Sequence, residues 1–436
     1  MKVNFIIMRK DLLHIWATKL SYEIREIVDV AKKIQKINKK EIIWENIWDP
    51  VEKWEKIPDW LKNMVISACE KDEVYWYSPT RWLEKTLQYL ASKDDKIEKE
   101  DILFFNWLWD AINKVYKNLS ATSRVIWPNP AYSTHSSAEA AHAGSEHITY
   151  SLDPKNNWNP DLEELENKVK YNPNIVWILV VNPDNPTGAV FKREVLEKIV
   201  DIAREYNLFI IFDEIYEKLT YDKKDRVLLS EIIWDIPGIS MKWISKELPW
   251  PGARCGWIEV YNKDKDKNFA DYIDSIVASK MLEVCSTTLP QYIIPEVYES
   301  IEFAKSLEER IEKYQKRAEK AEEIFSNCEY VSVVKPKWAF YLSVVFNLEK
   351  INNLDYNFDY ETAEIKEIIE KKVGNNSRFD KKFCYHLLAK ESICIVPLSS
   401  FNSTYDWFRV TLLEDDFEKY ELTLNTIKKF IEEISK

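Results

Sequence analysis

Two near-continuous apolar runs, residues 175–181 and 208–212, each end abruptly at polar residues, and they constrain the fold more than any other feature. Runs of this length suit strands buried on both faces. Between them, residues 192–207 place Val195, Leu196, Ile199, Val200 and Ala203 on one face of an amphipathic helix. Strand, helix and strand at this spacing predict a right-handed βαβ crossover in a mostly parallel sheet. Residues 239–244 and 255–260 read as two more strands. Ligands of open α/β sheets sit beyond the carboxyl ends of the strands. Asn185, Asp213 and Lys246 all fall just after such ends.

The rest of the chain reads as scaffold. Val297, Ile301, Ala304, Ile311, Ala318 and Ile324 fall near helical spacing, predicting one long helix over 296–325 with a solvated face. Strand-like segments follow at 330–334, 340–346 and 393–396, then a closing helix at 417–434, which together suggest a smaller α+β lobe. Residues 352–359 and 374–380 read as loops. The expected division is an arm and part of a small domain over 1–60, a large domain over 61–305, and a C-terminal small domain over 306–436. No internal repeat is evident.

The 436 residues are 46% hydrophobic, enough for a large core, and the formal net charge is -12 with both signs interspersed. An acidic, mixed surface argues against nucleic acid or anionic membrane as partner. No apolar run approaches a membrane span, and the first residues lack a cleavable secretory pattern. Six cysteines without a CxxC pair read as reduced, mostly buried thiols, so the expected location is cytoplasmic. His135, His142 and His147 share one stretch, but their spacing fits no usual metal motif, so no metal is expected; His135 could border a substrate, but ordinary packing or a surface place suits it better.

One count is abnormal. The chain has 6 Gly and 18 Trp, whereas ordinary usage gives glycine about 7% of residues. Several tryptophans stand where a chain wants no Cβ: Trp48 before Asp49-Pro50, Trp107 and Trp109 around a strand-to-helix turn, and Trp338 beside Ala339. Trp82 and Trp407 raise the same suspicion. The expectation is that much of this tryptophan is glycine, from an opal codon read as glycine in the source organism and translated here as tryptophan. Abundant Ile, Lys, Asn and Tyr fit an A/T-rich genome; an unusually tryptophan-rich protein is the alternative.

The chemistry-bearing residues come in a fixed order: Asn182-Pro183-Asp184-Asn185-Pro186-Thr187-Gly188, then Phe212-Asp213-Glu214-Ile215-Tyr216, then Ser245-Lys246, then Pro251-Gly252-Ala253-Arg254-Cys255-Gly256-Trp257. An acid, a phenol, an amine and a guanidinium are the parts needed to hold pyridoxal phosphate and use it as an electron sink. In these motifs, from about residue 47 to 409, the sequence resembles the class I/II aminotransferases of fold type I, in the aspartate aminotransferase superfamily. The resemblance implies an α/β fold with a mostly parallel seven-stranded sheet between helices and a smaller α+β domain. It also implies a homodimer with shared active sites, in which Tyr77 reaches the neighbouring subunit's phosphate.

On that resemblance, Lys246 forms a Schiff base with pyridoxal 5'-phosphate and then shuttles a proton at the substrate. Asp213 keeps the pyridine nitrogen protonated, Tyr216 and Asn185 hydrogen-bond the ring hydroxyl, and Tyr132 stacks on the ring. Arg254 clamps the phosphate, helped by Ser245 and by a cup at Trp107, Leu108 and Trp109. Trp243 stands where many members carry a phosphate-binding serine, a departure that removes one contact. Arg409 grips the substrate carboxylate, next to a pocket lined by Trp48. The implied activity is ping-pong transfer of an amino group from an L-amino acid to a 2-oxo acid, 2-oxoglutarate by analogy. A carbon–sulfur lyase built on the same sink remains an alternative, and Lys280 is a remote candidate for binding a distal carboxylate.

Overall fold

A computed structural model describes residues 23–47, 49–53, 55–79, 83–352, 359–374 and 376–436. Trp48 and Trp82 lie outside those residues, as does most of the 352–359 segment. In chain order the strands are β1 (Ile43–Trp44), β2 (Ile102–Asn106), β3 (Arg124–Asn129), β4 (Ile148–Asp153), β5 (Asn159–Pro160), β6 (Ile175–Val181) and β7 (Phe209–Asp213). They continue with β8 (Gly238–Trp243), β9 (Cys255–Tyr261), β10 (Val331–Val333), β11 (Tyr341–Phe346), β12 (Ile393–Cys394), β13 (Val396–Pro397) and β14 (Trp407–Thr411).

The large sheet has the order β2-β9-β8-β7-β6-β3-β4-β5. From β8 through β4 the strands are parallel, while β9 runs against both of its neighbours. The two-residue β5 adds an antiparallel edge to the seven strands anticipated. Nearly every residue of β6, β7 and β8 is buried, which is why these segments read as continuous apolar runs rather than alternating ones. The helix Arg193–Glu205 buries Leu196, Ile199, Val200 and Ala203 between β6 and β7 in the chain. From β6 the chain builds outward through β7 and β8 on one side, while β3 and β4 lie on the other. The order therefore reverses between β3 and β6, where a crevice opens at the strands' carboxyl ends.

The second sheet is antiparallel, in the order β10-β11-β14-β13, and β1 pairs with β12 in a separate parallel ribbon. Three expectations need correction here. Residues 393–396 do not form one strand: Ile393 and Cys394 pair with β1, whereas Val396 and Pro397 pair with β14. The long helix over 296–325 is two helices, Thr288–Glu299 and Ile301–Ser326, because Ser300 is extended (φ -78, ψ 139) and its Oγ accepts the Phe303 N–H at 3.0 Å as an N-cap. The 374–380 loop is shorter than expected, since the helix Phe379–Glu391 begins inside it.

The sheets meet at the loop after β6. Ser343 Oγ on β11 donates to the Pro186 carbonyl at 2.6 Å, and the Lys337 N–H donates to the Gly188 carbonyl at 3.1 Å. Gly188 has φ 80, and a Cβ there would lie 2.9 Å from Pro336 Cβ and 3.1 Å from the Tyr341 carbonyl oxygen. Gly188→Ala should therefore destabilise the protein by roughly 1–3 kcal/mol. A urea-unfolding midpoint equal to that of the parent would contradict this packing.

Candidate active site

Each strand end in the crevice delivers one chemical group. β7 ends on Asp213, which is 2% exposed. With Asp213 ionised, His135 Nε2 carries the hydrogen and donates to its Oδ2 at 3.1 Å. Sequence reading left the role of His135 open between substrate and packing; the fold spends it on this carboxylate. Three residues past Asp213, Tyr216 places its hydroxyl 3.4 Å from that of Tyr341 on β11. Burial raises the Tyr216 phenol well above its ordinary value.

The loop after β6 is tied by its own polar groups. The Thr187 N–H donates to Asp184 Oδ2 at 3.1 Å, the Gly188 N–H to the Asp184 carbonyl at 3.0 Å, and the Phe191 N–H to Asn182 Oδ1 at 2.9 Å. Burial pushes the Asp184 carboxyl up to about 7. This turn buries Asn185, whose Oδ1 accepts from Arg409 Nη1 at 3.0 Å.

Arg409 lies mid-strand in β14, paired with Ser343 and Val396, and is fully buried. Its guanidinium stacks 4.4 Å from the Tyr341 ring centre. Nε and Nη2 have no hydrogen-bond partner among the described residues. A buried cation with two idle donors on one edge is built to receive an anion, and a planar fork suits a carboxylate.

β8 runs into the single helical turn Ile244–Glu247, which carries Lys246. The backbone of that turn is held from the helix Ile301–Ser326: Arg310 Nη1 donates to the Glu247 carbonyl at 2.6 Å, and Nη1 and Nη2 both reach the Lys246 carbonyl at 3.2 Å. Arg310 is itself paired with Glu55. Sequence analysis missed this clamp, because a lone arginine in an amphipathic helix carries no signal of a partner 64 residues away. Burial lowers the Lys246 amine to about 7; Asp49 opposes the shift, and the guanidiniums of Arg409, Arg310 and Arg254 add to it.

Tyr132, Tyr216, Lys246 and Arg254 line one cavity of about 80 Å³, together with Leu108, Trp107, Trp109 and Trp243. Leu108 opens the helix Leu108–Lys117. The Ser245 hydroxyl is fully buried and has no partner among the described residues. The Arg254 guanidinium carbon lies 4.0 Å from the Trp107 ring centre. Tyr77 is outside the cavity and 82% exposed. Lys280 is not free for a distal carboxylate, since Asp110 and Glu283 hold its amine at 2.8 and 2.6 Å. His142 contacts the Ser123 carbonyl and His147 pairs with Glu139.

At its ring and aldehyde ends this donor set fits pyridoxal phosphate: a buried carboxylate, a phenol and a low-pKa amine are present. The phosphate end fits poorly, because the Trp107 indole covers Arg254.

The family profile described as Aminotransferase class I and II matches residues 58–419. The chain belongs to this family. It is 51% identical to an uncharacterized aminotransferase of Methanocaldococcus jannaschii, over 98% of this chain and 100% of the relative. It is 27% identical to the glutamate-pyruvate aminotransferase AlaA of Escherichia coli K12, over 94% and 95% of the two chains. Two solved structures share the fold. One is an Escherichia coli aminotransferase (TM-score 0.83, 23% identity, 98% of this chain and 100% of that one). The other is an alanine aminotransferase from Pyrococcus furiosus (TM-score 0.82, 21% identity, 97% and 100%). The chain is thus an aminotransferase of fold type I. Among its described residues no helix is long and apolar enough to cross a membrane.

The Lys246 amine becomes neutral, and hence nucleophilic, as pH rises through about 7, whereas ordinary lysines do so near ~10.4. In cofactor-free enzyme at pH 8, limiting formaldehyde and cyanoborohydride should methylate Lys246 ahead of surface lysines. Its labelling should fall to half near pH 7; peptide mapping that finds Lys246 labelled no faster than the surface amines would contradict the assigned environment.

Proposed function

We propose that this aminotransferase uses pyridoxal 5'-phosphate, anchored covalently at Lys246, to move an amino group from a small neutral L-amino acid, alanine first, to 2-oxoglutarate in a ping-pong cycle. The observation that carries the reading is a set of three buried groups: the Asp213 carboxylate at the end of β7, the Lys246 amine just past the end of β8, and the half-satisfied Arg409 guanidinium mid-strand in β14. When bound, the cofactor supplies a protonated ring that accepts the electrons of the breaking Cα–H bond.

The chain's own residues do the rest. Asp213, steadied by His135, holds the proton at the ring nitrogen. Tyr216 and Asn185 hydrogen-bond the ring hydroxyl, and Tyr132 covers the ring face. Arg254, Ser245 and the first amides of the helix beginning at Leu108 would bind the phosphate where the Trp107 indole does not cover them. Lys246, once displaced from the cofactor by the substrate amine, would serve as the base that takes the Cα proton and delivers it back, its amine losing its own proton near pH 7. Arg409 orients the substrate through its two idle donor nitrogens, Nε and Nη2.

The alanine assignment draws on relatives whose names specify alanine or glutamate-pyruvate transfer. It also draws on Lys280, whose charge is already matched by two carboxylates. We place the large domain at 61–305 and the small one at 306–436 with the arm over 1–60, and assign a homodimer with shared active sites. Tyr75, Trp76 and Tyr77 are 71%, 66% and 82% exposed, an aromatic patch that a second subunit would cover, with Tyr77 reaching that subunit's phosphate.

Incubation of cofactor-loaded enzyme with each amino acid and 2-oxoglutarate should yield glutamate, fastest from alanine. Amino acid alone should bleach the aldehyde absorbance stoichiometrically. Absorbance that recovers without an oxo acid, with ammonia or a thiol released, would instead identify a lyase. Arg409→Lys, which loses the planar fork, should lower kcat/KM roughly 10- to 100-fold, mainly through KM. An unchanged KM would remove Arg409 from the substrate site.

A further inference from the structure

Twelve non-glycine residues among those described have φ in the left-handed half of conformational space, and three of them are tryptophans: Trp107 (φ 80), Trp158 (φ 60) and Trp234 (φ 53). Asparagine, which tolerates such angles, supplies four of the others. A bulky aromatic does not tolerate them. Trp107 combines φ 80 with ψ 157, a region populated essentially by glycine alone.

Two of the three positions carry a second, independent fault. Trp158 is fully buried and its indole N–H has no acceptor among the described residues. Its ring lies 4.7 Å from that of Trp407, which is also buried with an N–H unpaired among those residues. Buried indoles ordinarily find an acceptor. Trp107 places its ring over the Arg254 guanidinium and 6.1 Å from the Trp243 ring, filling the space in front of the helix that begins at Leu108. The cavity left is about 80 Å³, against the roughly 300 Å³ at which ligand pockets begin. Trp234 makes no comparable demand on the core, being 59% exposed. Its backbone angle is therefore the whole of the case there.

We infer that positions 107, 158 and 234 are glycine in the native polypeptide, encoded by an opal codon that the source organism assigns to glycine. The backbone supports this residue by residue, beyond what the scarcity of glycine suggests for the chain at large. Glycine at 107 uncovers Arg254 and the first backbone amides of the helix. Only the identity of the anion that then enters rests on the cofactor assignment above.

The test reads the residue directly. The gene should carry UGA at codons 107, 158 and 234, and tandem mass spectrometry of protein isolated from its own organism should find glycine in all three peptides. UGG codons, or tryptophan in those peptides, overturn the inference. In a host with the standard code, Trp107→Gly/Trp158→Gly/Trp234→Gly should melt at higher temperature than the chain as written, without cofactor; a lower melting temperature counts against the inference. Trp107→Gly should tighten pyridoxal phosphate binding, read by absorbance titration, by about tenfold or more. Glycine in the native peptides with no cofactor bound by any variant would leave the residue assignment standing and overturn the cofactor reading alone.

Discussion

A fully buried guanidinium organises this molecule. Arg409 sits in the middle of the small sheet with one N–H, on Nη1, spent on Asn185 in the loop after β6. A charge in such a place is tolerated only when it is paired. The protein supplies a stacked ring from Tyr341 and a single amide oxygen, and leaves the remaining donors to a ligand. The contact that draws the lobes together is thus the one that prepares the crevice for a carboxylate.

The amine responds to the same surroundings. Burial disfavours its charge, and three guanidiniums reinforce the effect against the pull of Asp49, so the Lys246 amine loses its proton near pH 7. Arg310 does two jobs at once. It adds positive potential, and it grips the carbonyls of the turn that carries the amine. One side chain thus positions the turn that carries the nucleophile and adds to the burial that lowers its pKa.

Much of this was legible in the sequence, for reasons that can be stated. β6 matches its apolar run residue for residue and β7 begins one residue after its own, because strands buried on both faces need apolar residues at every position. The groups that follow those runs, Asn185, Asp213 and Lys246, were legible for the same reason. Tertiary pairings were not. His135 and Asp213 lie 78 residues apart, and nothing in a histidine's neighbours announces a carboxylate partner. The break at Ser300 was hidden by apolar residues that keep helical spacing on both sides of it. A four-residue apolar stretch at 393–396 could not reveal that it serves two sheets. The tryptophan count did foretell trouble at position 107, but only the backbone angle separates a glycine position from a crowded one.

The ribbon joining Ile43 to Ile393 and Trp44 to Cys394 also has a bearing on biosynthesis. A ribosome releases the first of these segments long before it makes the second. The large sheet needs nothing beyond Tyr261 and can assemble while its leading segment still waits for a distant mate. Closure of the smaller lobe is therefore a late, post-translational event with a high entropic cost of loop closure. Shortening the nascent chain anywhere before the ribbon's second strand would strand its first without a template.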